Sequence, residues 1–136
     1  MNFLYIKGCE SGWDKYGDKC YFFSTTEERA WQDSKLLCES MNANLVKVDT
    51  DQEHTFMRDK LIALGGDYAW IGARYNASAG EYRWIDGSEM RIDGWAPGKP
   101  NNQGCINYLR TDNWLWNSHE DCHYTPCSFI CEKKAC

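Results

Sequence analysis

The 136-residue sequence lacks the features of nucleic-acid-binding and membrane-spanning proteins and of zinc sites built on Cys-x-x-Cys pairs. Its 15 lysines and arginines are outnumbered by 20 aspartates and glutamates and are spread along the chain, so the net charge is −5 and no basic patch forms. No apolar run approaches the roughly 18 residues that a membrane span needs. The cysteines include no Cys-x-x-Cys pair. We therefore expect neither nucleic acid nor a membrane as a partner, and no zinc site of cysteines.

The sequence is instead rich in cysteine. Eight cysteines in so short a chain favour a disulfide framework, which persists in oxidising compartments. The opening "MNFLYIKG" is too short and too interrupted to be a whole secretory signal. The sequon Asn76-Ala77-Ser78 suits N-glycosylation of a surface turn. These features predict a mature, secreted, extracellular domain.

Length and composition predict one globular domain over residues 1–136. Hydrophobic residues make up 43% of the chain and aromatic residues 15%, enough for one compact core and too little for two ordinary domains. Short strands are predicted at 68–75, 81–86, 105–110 and 128–133, each rich in aromatic or β-branched residues. The irregular stretch from 87 to 104 is long enough to suggest a functional loop.

Two helices are predicted ahead of these strands, which indicates an α+β fold. The first lies within 25–41 and has a Thr25–Glu28 capping box at its start. The second lies within 50–66, with a capping box of Thr50 and Glu53 and a stop at Gly65-Gly66. The faces expected to be buried consist of Ala30, Ser34, Leu37, Cys38 and Met41 in the first helix and Met57, Leu61 and Leu64 in the second, with His54 exposed.

The order and spacing of several segments resemble the C-type lectin-like domain family along nearly the whole chain. The segments are "CESGWDKYGDKCYFF" from Cys9, "AWIGA" at 69–73, "GWAPGKPNN" at 94–102, "WLWNS" at 114–118 and "FICEK" at 129–133. The resemblance implies a single carbohydrate-recognition domain of the long form. Such a domain has two helices flanking small antiparallel sheets, an N-terminal hairpin over 9–20 and a long ligand-binding loop region. It also implies the disulfides Cys9–Cys20, Cys38–Cys131 and Cys105–Cys122.

Cys127 and Cys136 are left over by these pairings. If residues 127–136 form one extended strand, nine steps of about 3.3 Å place the two cysteines roughly 30 Å apart, whereas bridged Cα atoms lie within about 7 Å. We therefore expect at least one interchain disulfide and a covalent dimer. The alternatives are a turn near Lys134 that lets the two cysteines pair, or blocked thiols.

The segment Lys99-Pro100-Asn101 departs from the calcium-binding pattern of sugar-binding family members. Those members carry Glu-Pro-Asn or Gln-Pro-Asp with a cis proline, an acidic residue shortly before the next cysteine, and a Trp-Asn-Asp motif. Here Lys99 takes the first position, Gly104 precedes the cysteine with no acid after the proline, and Ser118 replaces the aspartate. Only Asn101 and Asn117 match the pattern.

This departure predicts that no calcium binds there and that the domain needs no cofactor. Calcium takes six to eight oxygen ligands, several of them anionic, and here two neutral amides would face an ammonium. Glu120 and Asp121 lie nearby in sequence and are the alternative source of anionic ligands. The same segment could hold sugar hydroxyls through an ammonium, which has three donors.

We therefore predict a calcium-independent lectin of the secreted bivalve type that binds glycans bearing N-acetylglucosamine or N-acetylgalactosamine. Carboxamides next to aromatic rings suit an acetamido group, whose methyl packs on a ring. The candidate sugar-binding residues are Lys99, Pro100, Asn101, Asn102, Gln103, Tyr108, Trp114, Asn117, Ser118, His119, Glu120 and Tyr124.

Three other functions are open to this sequence. Lys99 can be an ordinary solvated residue of a domain that binds protein, as natural-killer-receptor-like and venom-type domains do, or the chain can belong to an extracellular or mineral matrix. The third is proteolysis, since residues 119–123, His-Glu-Asp-Cys-His, match the zinc-protease pattern H-E-x-x-H. No sustained apolar helical face surrounds that pattern, and Cys122 is assigned to a disulfide by the resemblance. We therefore expect no enzyme activity.

Overall fold

The computed structural model describes residues 8–123 and 125–136, and this part of the chain contains two α-helices, a short 3-10 helix at Arg110–Asp112 and eight strands. The helices are α1, Trp31–Ser40, and α2, Asp51–Leu64. The strands are β1, Asp14–Tyr16; β2, Lys19–Phe23; β3, Asn44–Leu45; β4, Tyr68–Asn76; β5, Glu81–Trp84; β6, Cys105–Leu109; β7, Leu115–His119; and β8, Ser128–Lys134. The α+β architecture predicted from the sequence is confirmed.

The strands form one connected sheet in the order β1-β2-β8-β4-β6-β7, with β3 added on β8 and β5 added on β4. All of these pairings are antiparallel except that of β4 with β8, which is parallel and short. The parallel contact joins two halves of the sheet. One half contains β1, β2, β3 and β8 and includes the predicted N-terminal hairpin; the other contains β4, β5, β6 and β7 and carries the long loop. The expected small antiparallel sheets are therefore continuous through β8.

Helix α1 begins later than the sequence predicts, and the Thr25–Glu28 capping box does not form. Its N-cap is Ala30, whose side chain makes no capping hydrogen bond. The backbone N–H of Arg29 donates to the carbonyl of Cys127, and the Cys127 N–H donates back to the Arg29 carbonyl. This β-bridge holds the chain extended ahead of the helix, and that tertiary pairing overrides the local capping signal.

Helix α2 begins as predicted at the capping box of Thr50 and Glu53 and ends at Gly65, which has a φ of 79°. Two of its residues differ from the expectation. Leu64 is 46% exposed because it lies in the last turn of the helix, away from the sheet. His54 is only 9% exposed, and its Nδ1 hydrogen-bonds with the hydroxyl of Tyr108 at 2.8 Å. The polar neighbours of His54 in the sequence did not reveal this partner on β6.

The core consists of two clusters of buried side chains. The larger one lies between α2 and the sheet and is centred on Trp116, whose ring makes edge contacts with Trp84 and Trp95. The smaller one lies under α1 and contains Trp31 and Trp70 together with most of the buried cysteines. In α1 only Trp31, Ser34 and Cys38 are buried, so Ala30, Leu37 and Met41 are less enclosed than predicted.

All three disulfides implied by the family resemblance are present: Cys9–Cys20, Cys38–Cys131 and Cys105–Cys122. The two other cysteines are free, and only Cys136 is exposed. Cys127 is fully buried, and burial raises the pKa of its thiol to about 12. The expectation that Cys127 can form an interchain bridge is therefore wrong, because its sulfur is enclosed by the smaller core cluster and held as a thiol.

Within residues 8–123 and 125–136, no helix has the length and apolar character needed to cross a lipid bilayer.

The buried His54 makes stability depend on pH. Burial, with Arg58 nearby, lowers the pKa of His54 below its usual value, so the unfolded chain binds a proton more readily than the native chain. This contribution to stability is complete above about pH 6.5 and is lost as the pH falls through the native pKa, with a slope of at most about 1.4 kcal/mol per pH unit.

We expect His54→Asn, which keeps a polar atom near the position of Nδ1, to remove this slope in the range below about pH 6.5. The measurement is urea unfolding of both proteins across that range. Carboxylates titrate there too, so the readout is the difference in the pH dependence of the unfolding free energy between the two proteins. Equal slopes in wild type and His54→Asn would contradict the assignment.

Candidate functional site

The long loop between β5 and β6 is fixed against β7 by backbone hydrogen bonds. The N–H of Trp116 donates to the Gly94 carbonyl at 2.8 Å, and the N–H of Ala96 donates to the Trp116 carbonyl at 3.0 Å. A Cβ at position 94 would lie 2.5 Å from the indole of Trp116, so glycine is required for this approach. The loop therefore lies on the core tryptophan and turns back toward solvent at residues 97–98.

Lys99-Pro100-Asn101 forms the tip that follows this turn. The Lys99–Pro100 peptide bond is cis, and the N–H of Lys99 donates to the carbonyl of Ala96 at 3.0 Å. Lys99 is half-buried, while Pro100 and Asn101 are exposed. The Lys99 ammonium forms no ion pair and no hydrogen bond with any residue that the structure describes. The loop thus presents a positive charge beside an accessible amide.

Tyr82 on β5 anchors the segment that follows. Its hydroxyl donates to the carbonyl of Asn102 at 2.8 Å and accepts from the N–H of Gly104 at 2.9 Å. The Asn102 side chain donates to the carbonyl of Ser118 at 3.1 Å and to the Asn101 side chain at 3.4 Å. These bonds tie the loop to both β5 and β7, so its shape is set by protein groups.

Three buried polar atoms next to this anchor have no partner among the described residues. They are Oδ1 of Asn102, Nδ2 of Asn117 and Oγ of Ser118. Asn117 is 5% exposed and Ser118 is 7% exposed, so both candidates sit behind the loop and not on its surface. An unpaired buried polar group lowers the free energy of unfolding by about 1–3 kcal/mol. These three atoms are therefore available to form further hydrogen bonds at the site.

Two of the sequence candidates lie in the core and cannot contact a sugar. Tyr108 is fully buried, and its hydroxyl is occupied by His54. Trp114 is 6% exposed and packs in the larger core cluster, because the turn through Asn113, at a φ of 63°, folds it inward. Both residues are close to the motif in the sequence. However, the alternation of side chains along β6 and the turn that follows it direct the side chains of Tyr108 and Trp114 into the core, away from the loop.

The other candidates border the loop on the side of β7 and α1. His119 is half-buried, with its ring edge-on to Trp70 at a centroid distance of 6.0 Å. Gln103 and Glu120 are exposed and line a common cavity of about 240 Å³. Tyr124 lies outside the described residues. The structure therefore brings Lys99, Pro100, Asn101, Asn102 and Gln103 together on one loop.

A groove beside Pro100 and Asn102 adds residues that the sequence analysis did not include. It has a volume of about 480 Å³, and Tyr82, Met90 and Trp95 supply its apolar wall. The rings of Tyr82 and Trp95 lie 5.1 Å apart at 63°. The signal was present in the predicted strand 81–86: Tyr82 lies two residues before Trp84, so both side chains lie on the same face of the strand.

The donor set around the loop does not fit calcium, the ion that the family resemblance implies. An ammonium occupies the first position, and the serine hydroxyl that replaces the aspartate is buried. A Cβ at Gly104 would lie 1.8 Å from the carbonyl oxygen of His119, so no side chain can be supplied from that position. Among the described residues, no cluster of three or more histidine, cysteine or acidic side chains has metal-ligating geometry. Glu120 and Asp121 are exposed and do not complete a set.

The H-E-x-x-H pattern does not have the geometry of a zinc protease. His119 is the last residue of β7, and the residues that follow form a turn. In this turn Cys122 forms a disulfide with Cys105. Two histidines ligate one zinc in this pattern only when a helix places them one turn apart. The chain is not helical at this point.

Comparison with known proteins agrees with this geometry. The family model of the lectin C-type domain matches residues 27–133. The structure of a complex of SPL-1 with GlcNAc is similar, with a TM-score of 0.89, 44% sequence identity and coverage of 92% of this chain and 94% of that one. The Ca²⁺-independent C-type lectin SPL-2 from Saxidomus purpuratus gives a TM-score of 0.88 at 45% identity, covering 92% and 93%.

Among sequence relatives, the perlucin-like protein of Mytilus galloprovincialis is 30% identical over 129 residues, which are 90% of this chain and 81% of that protein. The chain spans only 29% and 32% of the length of two longer relatives that it also matches. The resemblance to bivalve-type C-type lectins is confirmed.

The double hydrogen bond of Tyr82 predicts that its hydroxyl orders the loop. Tyr82→Phe leaves the Asn102 carbonyl and the Gly104 amide without this partner, and we expect a loss of about 0.5–1.5 kcal/mol in the free energy of unfolding. Hydrogen exchange of the Gly104 amide should accelerate more than that of amides in β6. Tyr75→Phe is the control, since the Tyr75 hydroxyl forms no hydrogen bond within residues 8–123 and 125–136. Unchanged protection of Gly104 would show that the loop is held in another way.

Proposed function

The chain belongs to the C-type lectin domain family, and from this premise we propose that it is a calcium-independent lectin for N-acetylated hexoses, N-acetylglucosamine and N-acetylgalactosamine. The observation that carries the proposal is the unpaired Lys99 ammonium at the position where calcium-dependent members place their first metal ligand. In this proposal the ammonium takes over the role of the ion toward the sugar hydroxyls.

The chemistry of the loop suits adjacent hydroxyls of a pyranose ring. The Lys99 ammonium offers three donors, and the exposed amide of Asn101 both donates and accepts, so a sugar hydroxyl can bond to both groups at once. A charged donor roughly doubles the strength of such a hydrogen bond. Because Lys99 has no partner among the described residues, binding breaks no existing ion pair.

The groove beside the loop suits the acetamido group. Its wall of Tyr82, Met90 and Trp95 can cover a methyl group, while the edge at Asn102 supplies polar atoms. This wall takes the role that the sequence analysis gave to Tyr108 and Trp114. The known complex of SPL-1 with GlcNAc, at 44% identity, supports the same ligand class for this chain.

Affinity for one monosaccharide should be weak, about 1 mM, because few groups contact it. We propose that the protein is secreted, where its three disulfides are stable, and that it forms a dimer through Cys136, so that two sites engage a glycan surface together.

The function is tested by binding to immobilised N-acetylglucosamine, N-acetylgalactosamine, mannose and galactose, each in calcium and in excess chelator. We expect retention on the two acetamido sugars in both buffers. We expect Lys99→Ala to lower the affinity at least tenfold, which corresponds to a loss of about 1.4 kcal/mol in binding free energy. Lys134→Ala, at an exposed lysine on β8, is the matched control. Loss of binding on chelation would contradict calcium independence, and no binding in either buffer would favour a protein ligand.

The covalent dimer is tested by electrophoresis without reductant. We expect a dimer band in wild type and in Cys127→Ser, since Cys127 is buried, and only monomer in Cys136→Ser. Monomer in all three proteins would remove the dimer.

A further inference from the structure

A second groove begins at the same loop and runs away from it along β4. Two cavities of about 240 and 520 Å³ adjoin at Trp31, Gln32, Arg74 and Tyr75, which line both of them. One end lies at Gln103, Gly104 and Glu120, and the other at Lys35, Asn76 and Arg83. We call the two cavities together the Arg74 groove.

Arg74 is held in place without a charged partner. Its guanidinium lies over the ring of Trp31, 5.5 Å from the centroid. Trp31 is 2% exposed and fixed by a 2.8 Å hydrogen bond from its indole N–H to the carbonyl of Ile71, so this platform is rigid. Arg74 is itself exposed, and its guanidinium donates to no carboxylate or carbonyl within the part of the chain that the structure describes.

The other cations of the groove are neutralised. Lys35 pairs with Glu39 at 2.9 Å, and Arg83 pairs with Glu81 at 2.6 Å. Glu120 at the loop end is an exposed carboxylate, so it opposes anions mainly at that end and is screened by solvent. The guanidinium of Arg74, a planar fork of donors on a fixed ring, is therefore the anion-binding element of the groove.

The groove is connected to the sugar-binding loop by the backbone. The N–H of Tyr75, the residue after Arg74, donates to the carbonyl of Gly104 at 2.8 Å. Gln103, the preceding residue, contributes its side chain to the groove. Arg74 therefore lies beside the same loop that carries the unpaired Lys99.

We propose that the Arg74 groove is a subsite for an acidic group, a carboxylate or a sulfate, on the saccharide next to the N-acetylhexosamine held at Lys99. This inference rests on the proposed function and narrows its ligand class from acetamido sugars to acidic glycans that contain them. Neutral glycans bind through the Lys99 loop alone.

The test compares N-acetyllactosamine with its 6′-sulfo derivative and with the disaccharide in which glucuronic acid replaces galactose. Binding is measured by calorimetry on protein expressed without glycosylation, because the sequon residue Asn76 lines the groove. We expect at least one acidic derivative to bind about tenfold more tightly than the neutral disaccharide, with the advantage falling as salt is raised. Preference for the glucuronyl or the sulfo form identifies the carboxylate or the sulfate as the ligand.

Arg74→Gln should remove this preference and leave the affinity for neutral N-acetyllactosamine unchanged. Arg110→Gln, at an exposed arginine beyond the opposite end of β6, should change neither affinity. A thermal melt confirms that Arg74→Gln is folded.

Equal affinity for the three glycans, or a preference that persists in Arg74→Gln, would overturn the subsite while leaving the proposed function standing. Failure of the proposed function has a different signature, in which the neutral disaccharide does not bind and Lys99→Ala has no effect.

Discussion

Strand β8 is the constraint on which the rest of the structure depends. It pairs with β2 on one edge and with β3 and β4 on the other, and its Cys131 is bridged to Cys38 of α1. The strand therefore joins the terminal hairpin, the first helix and the half of the sheet that carries the loop. Because residue 131 is paired with residue 38, much of the chain must fold between two fixed points. The ligand loop can be long and irregular because both of its ends leave this fixed sheet.

The loop itself is ordered by hydrogen bonds to protein groups. The hydroxyl of Tyr82 and the amide of Asn102 connect it to β5 and β7, and Gly94 and Gly104 allow backbone approaches that no larger residue would permit. Because these contacts hold the shape of the loop, the side chain of Lys99 is not needed to stabilise it. The ammonium is available to the solvent side of the tip. The same argument explains why an unpaired cation is tolerated there: the ammonium is half-buried and keeps access to water.

The sequence predicted the framework of the fold well because its signals were local or belonged to the family pattern. The capping box of Thr50 and Glu53 depends on neighbours in the chain and formed as expected. The equivalent signal at Thr25 and Glu28 failed because a bridge to Cys127, far along the chain, holds that segment extended. Long-range packing of this kind is invisible to a local pattern.

The site was predicted less completely than the fold, for the same reason. The loop residues from Lys99 to Gln103 follow from the motif itself and stay a prediction, whereas Tyr108 and Trp114 were chosen by proximity in sequence and are buried. Tyr82, Trp95 and Arg74 were missed because they reach the loop through strand pairing and core contacts. Only the strand register and the groove geometry bring them next to Pro100 and Gln103.

The central claim is that an ammonium stands in place of a calcium ion toward the sugar. The most direct measurement is a crystal structure of the protein with N-acetylglucosamine, grown in chelator. We expect Lys99 Nζ to lie within about 3 Å of a sugar hydroxyl, which is the hydrogen-bond distance for a charged donor. We expect no metal density at the loop. A sugar bound away from Lys99, or a cation bound at Asn101 and Asn117, would contradict it.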